Sequence, residues 1–327
     1  MVRIALRLLL IAALALPVTA RAEDAPPKCS LEQVTSLDAD ASHGPLLIKV
    51  KINGTDTLLQ VDTGSPYNMI NRGLAEKLGL KELSINEHVE MHDSAGASLR
   101  HYVHVDELRL NDMKADDLDF IVMGEDRPMD PRLGGIFGAT FLAAYDVEFD
   151  IPHGKINLFT KNHCKDNVVY WTKDYDALPF TTDISLHPVL RASLDGHEMS
   201  AILDTGATPS VLSARTARFV FGLDPIASGD KPDGQVFSGS GSALPIYKHR
   251  FGTLEIGGVQ FHNTEFDIMP DKTTREIREH QSNRQDLMPS ETNAETPLTI
   301  GLHHLSRLRV FLAYSERMIY ISAGDAN

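Results

Sequence analysis

The sequence predicts an all-β protein made of two homologous lobes. Three observations carry that expectation: a long internal repeat, strand-period alternation of apolar residues in both copies, and matching turns at matching points. At an offset of 142, Leu47–Gly54 lies over Val189–Gly196, Val61–Ser65 over Leu203–Ala207, and Met69-Ile70 over Val211-Leu212. Each copy reads as a strand, an Asn-Gly or Asp-Gly hairpin turn at Asn53-Gly54 or Asp195-Gly196, and a second strand ending in an acidic turn. A short helical stretch follows, closing at Gly79-Leu80 and Gly222-Leu223. Alternation in Val103, Val105, Leu108 and Leu110, and the apolar residues Phe251, Leu254, Ile256, Phe261 and Phe266, continue the β pattern. A further set matches at an offset of 163: Ile136-Phe137-Gly138 with Thr299-Ile300-Gly301, and Val147, Phe149, Ile156 and Leu158 with Val310, Leu312, Ile319 and Ile321. The extra 21 residues of the second copy fall in the polar stretch 271–296, which reads as a surface insertion.

Composition and termini bound the rest. The chain has 327 residues, 42% of them apolar and 23% charged, which is globular composition with room for two domains. A net charge of −14 argues against nucleic-acid and anionic-membrane partners. Arg3 and Arg7, the apolar run Leu8–Leu16, Pro17 and Ala20-Arg21-Ala22 read as a signal peptide over residues 1–22. That run falls short of the ~20 residues needed to cross a bilayer, and no later segment is apolar enough. The expected organisation is then an N-terminal tail at 23–41, a first lobe at 42–161, a linker at 162–180 and a second lobe at 181–327. Cys29 and Cys164 form an even pair in an exported chain, which favours a disulfide from tail to linker over two unpaired thiols. The short Arg-bearing signal peptide points to a bacterial periplasm, with full secretion as the other destination.

The chemistry lies in the acidic turns. Asp-Thr-Gly occurs twice, at Asp62 and Asp204, each time at the end of an apolar strand and at the same point of the repeat. One copy would be adequately explained as a tight turn. Two equivalent copies, brought face to face by a pseudo-twofold axis, place two carboxylates where they share one proton. The charged member can then take a proton from water while the protonated member donates to a carbonyl under attack.

These residues resemble the aspartic peptidases, and specifically the retropepsin-like group. Val61-Asp62-Thr63-Gly64-Ser65 and Leu203-Asp204-Thr205-Gly206-Ala207 look like its catalytic loops, and the two apolar-apolar-Gly segments like those that follow its flaps. The resemblance spans about residues 42–161 and 181–323. It implies two pepsin- or retropepsin-like β-barrel lobes with the active-site cleft between them. It further implies that Thr63 and Thr205 brace each other's loops, supported by Gly64, Ser65, Gly206 and Ala207, and that one chain supplies both aspartates and acts as a monomer on peptides or unfolded proteins. Family flaps would correspond to the turns Asp93-Ser94-Ala95-Gly96 and Ser238-Gly239-Ser240-Gly241. Ser65 faces Ala207 across the repeat, and only a serine hydroxyl can bond a carboxylate, so Asp62 is expected to be the more readily ionised partner. Thr299 is polar where the family prefers an apolar residue.

Other signals are set aside. The Gly-Ser run at 239–242 lacks the third glycine of a dinucleotide site. His101 and His104 would diverge along a strand, His303-His304 diverge likewise, and Asn53-Gly54-Thr55 is explained by its turn, so neither metal nor cofactor is expected. The competing class is a non-catalytic peptide-binding or sensor module of the same fold. Damage to one Asp-Thr-Gly would mark it, and both are intact.

Overall fold

A computed structural model describes residues 29–86, 88–89, 91, 98–123, 132–182, 186–237, 243–270 and 297–324. The signal-peptide residues 1–22, both flap turns and the polar stretch 271–296 lie outside the described residues.

The first lobe contains β2 (Leu47–Ile52), β3 (Thr55–Asp62), β4 (Met69–Asn71), β5 (Leu83–Ser84), β6 (His101–Leu110), β7 (Met113–Met123) and β8 (Leu133–Gly138), preceded by β1 (Gln33–Asp40). Strands β2-β3-β8-β4-β7-β6 pair in that order, and β6 returns to β2, closing a six-stranded barrel. The second lobe repeats this plan with β13 (Pro188–Leu194), β14 (His197–Leu203), β15 (Val211–Ser213), β17 (Ala243–Ile256), β18 (Val259–Met269) and β19 (Leu298–Ile300). There β17 returns to β13. The hairpin turns are equivalent in detail. Asn53 and Asp195 have φ of 45° and 48°, and Gly54 and Gly196 both have φ of 80°, the left-handed pair that a two-residue hairpin needs. The Asn53 side chain accepts from the Glu107 N–H and the Asp195 carboxylate from the Thr253 N–H, tying each turn to its barrel.

Within each lobe, the strand that ends at the Asp-Thr-Gly turn is buried in the same way. In β3 the side chains of Leu59 and Val61 are fully buried, and in β14 those of Ala201 and Leu203. The alternate residues Gln60 and Asp62, like Ile202 and Asp204, lie on the other face and are partly exposed. Each of these strands pairs in parallel with the apolar-apolar-Gly strand, Val61 beside Phe137 and Leu203 beside Ile300. Thr299 is half-buried just as Ile136 is, so its hydroxyl does not disturb this layer.

The lobes are joined beneath by six antiparallel strands. Their order is β11 (Asp176–Pro179), β21 (Met318–Ala323), β20 (Leu308–Ala313), β9 (Asp146–Asp150), β10 (Lys155–Phe159) and β1. Residues 33–40, expected as tail, are therefore a strand that bridges this sheet to β2. The linker packs across the sheet, burying Val168 with Phe159, Phe311 and Tyr320. Cys29 and Cys164 form a disulfide that fastens the tail to this linker. Under it lies a paired charge cluster: Arg309 Nε donates to Glu148 at 2.6 Å, its Nη1 lies 3.2 Å from Asp150, and its guanidinium stacks 4.5 Å from the Trp171 ring. Asn157 and Tyr170 each donate to Glu148 at 2.7 Å, so this fully buried carboxylate has partners on every side.

Lobe 2 holds a buried histidine where lobe 1 has a phenylalanine. His304, in a short helix at Leu302–Leu305, occupies the position of Phe141 in the repeat and stacks on Phe266. Its ring nitrogens meet the Ser210 and Thr264 hydroxyls, and Ser210 also accepts from the Gly301 N–H at 2.9 Å. Burial holds the His304 imidazole neutral, pushing its pKa down to about 3. A histidine held neutral in the fold adds stability above its unfolded pKa near 6.5 that is lost as pH falls toward 3. The His304→Phe variant is therefore expected to lose less stability than the native protein between pH 6 and pH 3, as read from urea midpoints across that range.

Candidate active site

The two Asp-Thr-Gly turns meet at the bottom of the cleft between the lobes. Their threonines are fully buried and crossed. Thr63 Oγ1 donates to the Leu203 carbonyl at 2.7 Å and accepts from the Thr205 N–H at 3.0 Å. Thr205 Oγ1 donates to the Val61 carbonyl at 2.9 Å and accepts from the Thr63 N–H at 3.1 Å. Four hydrogen bonds thus lock one loop to the other, and each hydroxyl uses both its donor and an acceptor site.

The glycines set the spacing of the carboxylates. A Cβ placed on Gly64 would collide with the Asp204 carboxylate, and one on Gly206 with that of Asp62. Each aspartate therefore packs over the glycine of the opposite loop, which only a residue without a side chain permits. Gly64 N–H donates to Asp62 Oδ1 and Gly206 N–H to Asp204 Oδ1, both at 2.8 Å, and Ala207 N–H adds a second contact to Asp204 Oδ1 at 3.2 Å. The two carboxylates face each other closely enough that the charge of Asp204 acts directly on Asp62.

Burial raises the pKa of both acids. Asp62 is pushed well above the ordinary carboxylate range, by burial first and then by the charge of Asp204 and the proton shared with it. Asp204 is raised by its burial too, while the Gly206 and Ala207 N–H groups, the bond from Asp62 and the nearby His187 favour its charged form, as the Gly64 and Ser65 N–H groups do for Asp62. One proton between two acids is the stable state of such a pair.

The aspartyl protease family matches this chain twice, over residues 48–141 and 190–283, together more than half its length. The chain belongs to the aspartyl protease family. No curated protein matches it significantly. Among solved structures it is similar to an aspartic proteinase from Irpex lacteus, with 13% identity, 89% of this chain and 98% of that one covered, and a TM-score of 0.48. Basic 7S globulin from soybean gives 10% identity over 91% and 96% of the two chains at a TM-score of 0.48. Conglutin gamma, a basic 7S globulin from lupine seeds, gives 11% over 90% and 95% at 0.47.

In this family member the structure brings together Asp62, Thr63, Gly64, Asp204, Thr205 and Gly206, with Ala207 at the edge. It corrects the role expected of Ser65. The Ser65 hydroxyl is turned away from the carboxylates and donates to the Tyr67 carbonyl at 3.0 Å, two residues along its own chain. The hydroxyl contribution expected to favour an ionised Asp62 is thereby lost, although the Ser65 N–H still favours it. The flap turns Asp93–Gly96 and Ser238–Gly241 lie outside the described residues. The arms leading to the second are described, with β16 (Gly234–Phe237) paired to β17 as far as Phe237 beside Ala243. Two residues of the site were not singled out from sequence. His187 lies within electrostatic reach of Asp204, and the Gln60 side-chain amide donates across the cleft to the Gly206 carbonyl at 2.7 Å. Gln60 had one visible signal: it stands two positions before Asp62, on the same strand face, where the second copy has Ile202. Among the described residues, no group of three or more His, Cys, Asp or Glu side chains is arranged to hold a metal ion.

Proposed function

We propose that this protein is an aspartic endopeptidase that hydrolyses peptide bonds of extended peptides or partly unfolded proteins laid between the lobes. The observation that carries this is the facing pair of Asp62 and Asp204, each packed over the glycine of the other's loop and held by crossed threonines. Asp204, the charged member, takes a proton from a water molecule as its oxygen attacks the scissile carbonyl carbon. Asp62 gives its proton to the carbonyl oxygen in the same step, so no free alkoxide forms. Asp204 then gives the proton it took from water to the amide nitrogen, the C–N bond breaks, and Asp62 takes a proton from a hydroxyl of the tetrahedral intermediate, so the pair is left with one proton again.

Both acids come from one chain, so a single copy suffices. Binding of a hydroxyl-containing transition-state mimic of peptide cleavage tests both points. One equivalent per chain should abolish cleavage, whereas one equivalent per two chains would contradict the single-chain site. The pH dependence follows from the shared proton. At low pH both acids are protonated and no base remains; at high pH the shared proton is lost and no acid remains. The profile of kcat/KM is expected to be bell-shaped, with both limbs belonging to the pair and displaced above the ordinary carboxylate range. Export to a bacterial periplasm is supported by the pattern of residues 1–22 and by the Cys29–Cys164 disulfide.

A further inference from the structure

Pseudo-twofold symmetry makes the two Asp-Thr-Gly loops nearly interchangeable, yet catalysis needs them to differ. One contact in the cleft has no counterpart under that symmetry. The Gln60 amide, reaching from lobe 1, donates to the Gly206 carbonyl of lobe 2 at 2.7 Å. The equivalent residue of lobe 2 is Ile202, which has no hydrogen-bonding group to offer Gly64.

The Gly206 carbonyl belongs to the same peptide unit as the Ala207 N–H, and that N–H points at Asp204 Oδ1 from 3.2 Å. A planar peptide fixed at its oxygen is fixed at its hydrogen too, and a donor on the oxygen polarises the N–H further. In lobe 1 the corresponding Ser65 N–H lies 3.4 Å from the backbone carbonyl of Asp62 and also favours the charged Asp62, but the side chain at the position of Gln60, Ile202, cannot hold its peptide in place. We propose that Gln60 is a positioning residue that breaks the symmetry of the pair: by holding the Gly206–Ala207 peptide it aims the Ala207 N–H at Asp204 and makes Asp204 the carboxylate that acts as base. Gln60 touches neither carboxylate and acts through the loop.

This proposal rests on the peptidase reading for its kinetic consequences, but its electrostatic consequence does not need turnover. The titratable groups facing the pair among the described residues are Asp62, Asp204 and His187. Losing an N–H donor to the charged form raises the pKa of the acid it serves. In Gln60→Leu, the lower apparent pKa of the pair should rise by roughly 0.5–1 unit, the equivalent of one neutral hydrogen bond. In the intact protein this is read by carbon-13 titration of the aspartate carboxylates, assigned by comparison with Asp62→Asn and Asp204→Asn.

If the protein cleaves peptides, the acid limb of kcat/KM should move by the same amount, with kcat about three- to tenfold lower near pH 4 and KM within about twofold of native. Gln60→Glu provides the control that a purely structural role would not pass. Below its ordinary pKa of about 4.3 a protonated glutamic acid can still donate to the Gly206 carbonyl, and above it the carboxylate cannot. That variant should resemble native protein in acid and fall below Gln60→Leu as pH rises. An unchanged carboxylate titration in both variants overturns the proposal whether or not the protein cleaves anything. A native protein that cleaves nothing, but whose titration shifts as described, overturns the peptidase reading and leaves the role of Gln60 standing.

Discussion

Replacing either Asp62 or Asp204 by asparagine is expected to lower kcat/KM for peptide cleavage by at least about 10³-fold, in line with the contribution of positioned general acids and bases. Asn at 204 removes the base, and Asn at 62 removes the proton that meets the carbonyl oxygen. The two losses should be similar and far from additive, because each acid works only through the other. The same substitutions should have the opposite effect on stability. Both acids have pKa values raised in the fold, so the pair contributes stability at pH below the unfolded value near 3.9 and loses it as pH rises through the raised values. Near neutrality the native protein holds charge that its site disfavours, and a neutral amide of the same shape relieves this. Asp62→Asn is therefore expected to unfold at higher temperature than native protein at pH 7, with the difference shrinking toward pH 4. A variant that is inactive and also less stable at pH 7 would instead indicate a damaged loop.

The second large effect is on the crossed threonines. In Thr63→Val the side chain keeps its shape and loses Oγ1, which leaves the Leu203 carbonyl and the Thr205 N–H without their partner in a fully buried position. At about 1–3 kcal/mol for each buried group left unsatisfied, the cost is roughly 2–6 kcal/mol. Thr205→Val should cost a similar amount, since Thr205 makes the mirror pair of bonds to Val61 and Thr63. Serine at either position keeps the hydroxyl and should recover most of the loss. Urea unfolding of the four variants tests this. Equal loss in the valine and serine variants would assign the effect to packing of the methyl group rather than to the bonds between lobes. Because the bonds join two lobes, the valine variants should also lose activity well before they unfold.

How far the sequence reached depended on whether an interaction was local or repeated. The β2–β3 and β13–β14 hairpins were legible because Asn53-Gly54 and Asp195-Gly196 set both turn and register. The crossed Asp-Thr-Gly loops were legible because the motif recurs at one point of the repeat. Strand β1 was not: its residues alternate only weakly, and it exists by pairing with Lys155–Phe159, more than a hundred residues away. Ser65 was misjudged because its short side chain found a nearer acceptor, the Tyr67 carbonyl, and such local bonds compete readily with longer ones. The bond from Gln60 to Gly206 required both lobes in place before it could be seen. His304 illustrates the same limit. Its neighbour His303 is exposed while it is fully buried against Ser210 and Thr264, a difference set by the turn of a four-residue helix.

The most direct test of the account is cleavage of a diverse peptide library by the purified protein between pH 3 and 8, beside Asp62→Asn and Asp204→Asn. The account predicts cleavage by the native protein, a bell-shaped pH dependence, and loss of all cleavage products in both variants. Products that persist in either variant, or a native protein that binds extended peptides and cleaves none of them, would contradict it.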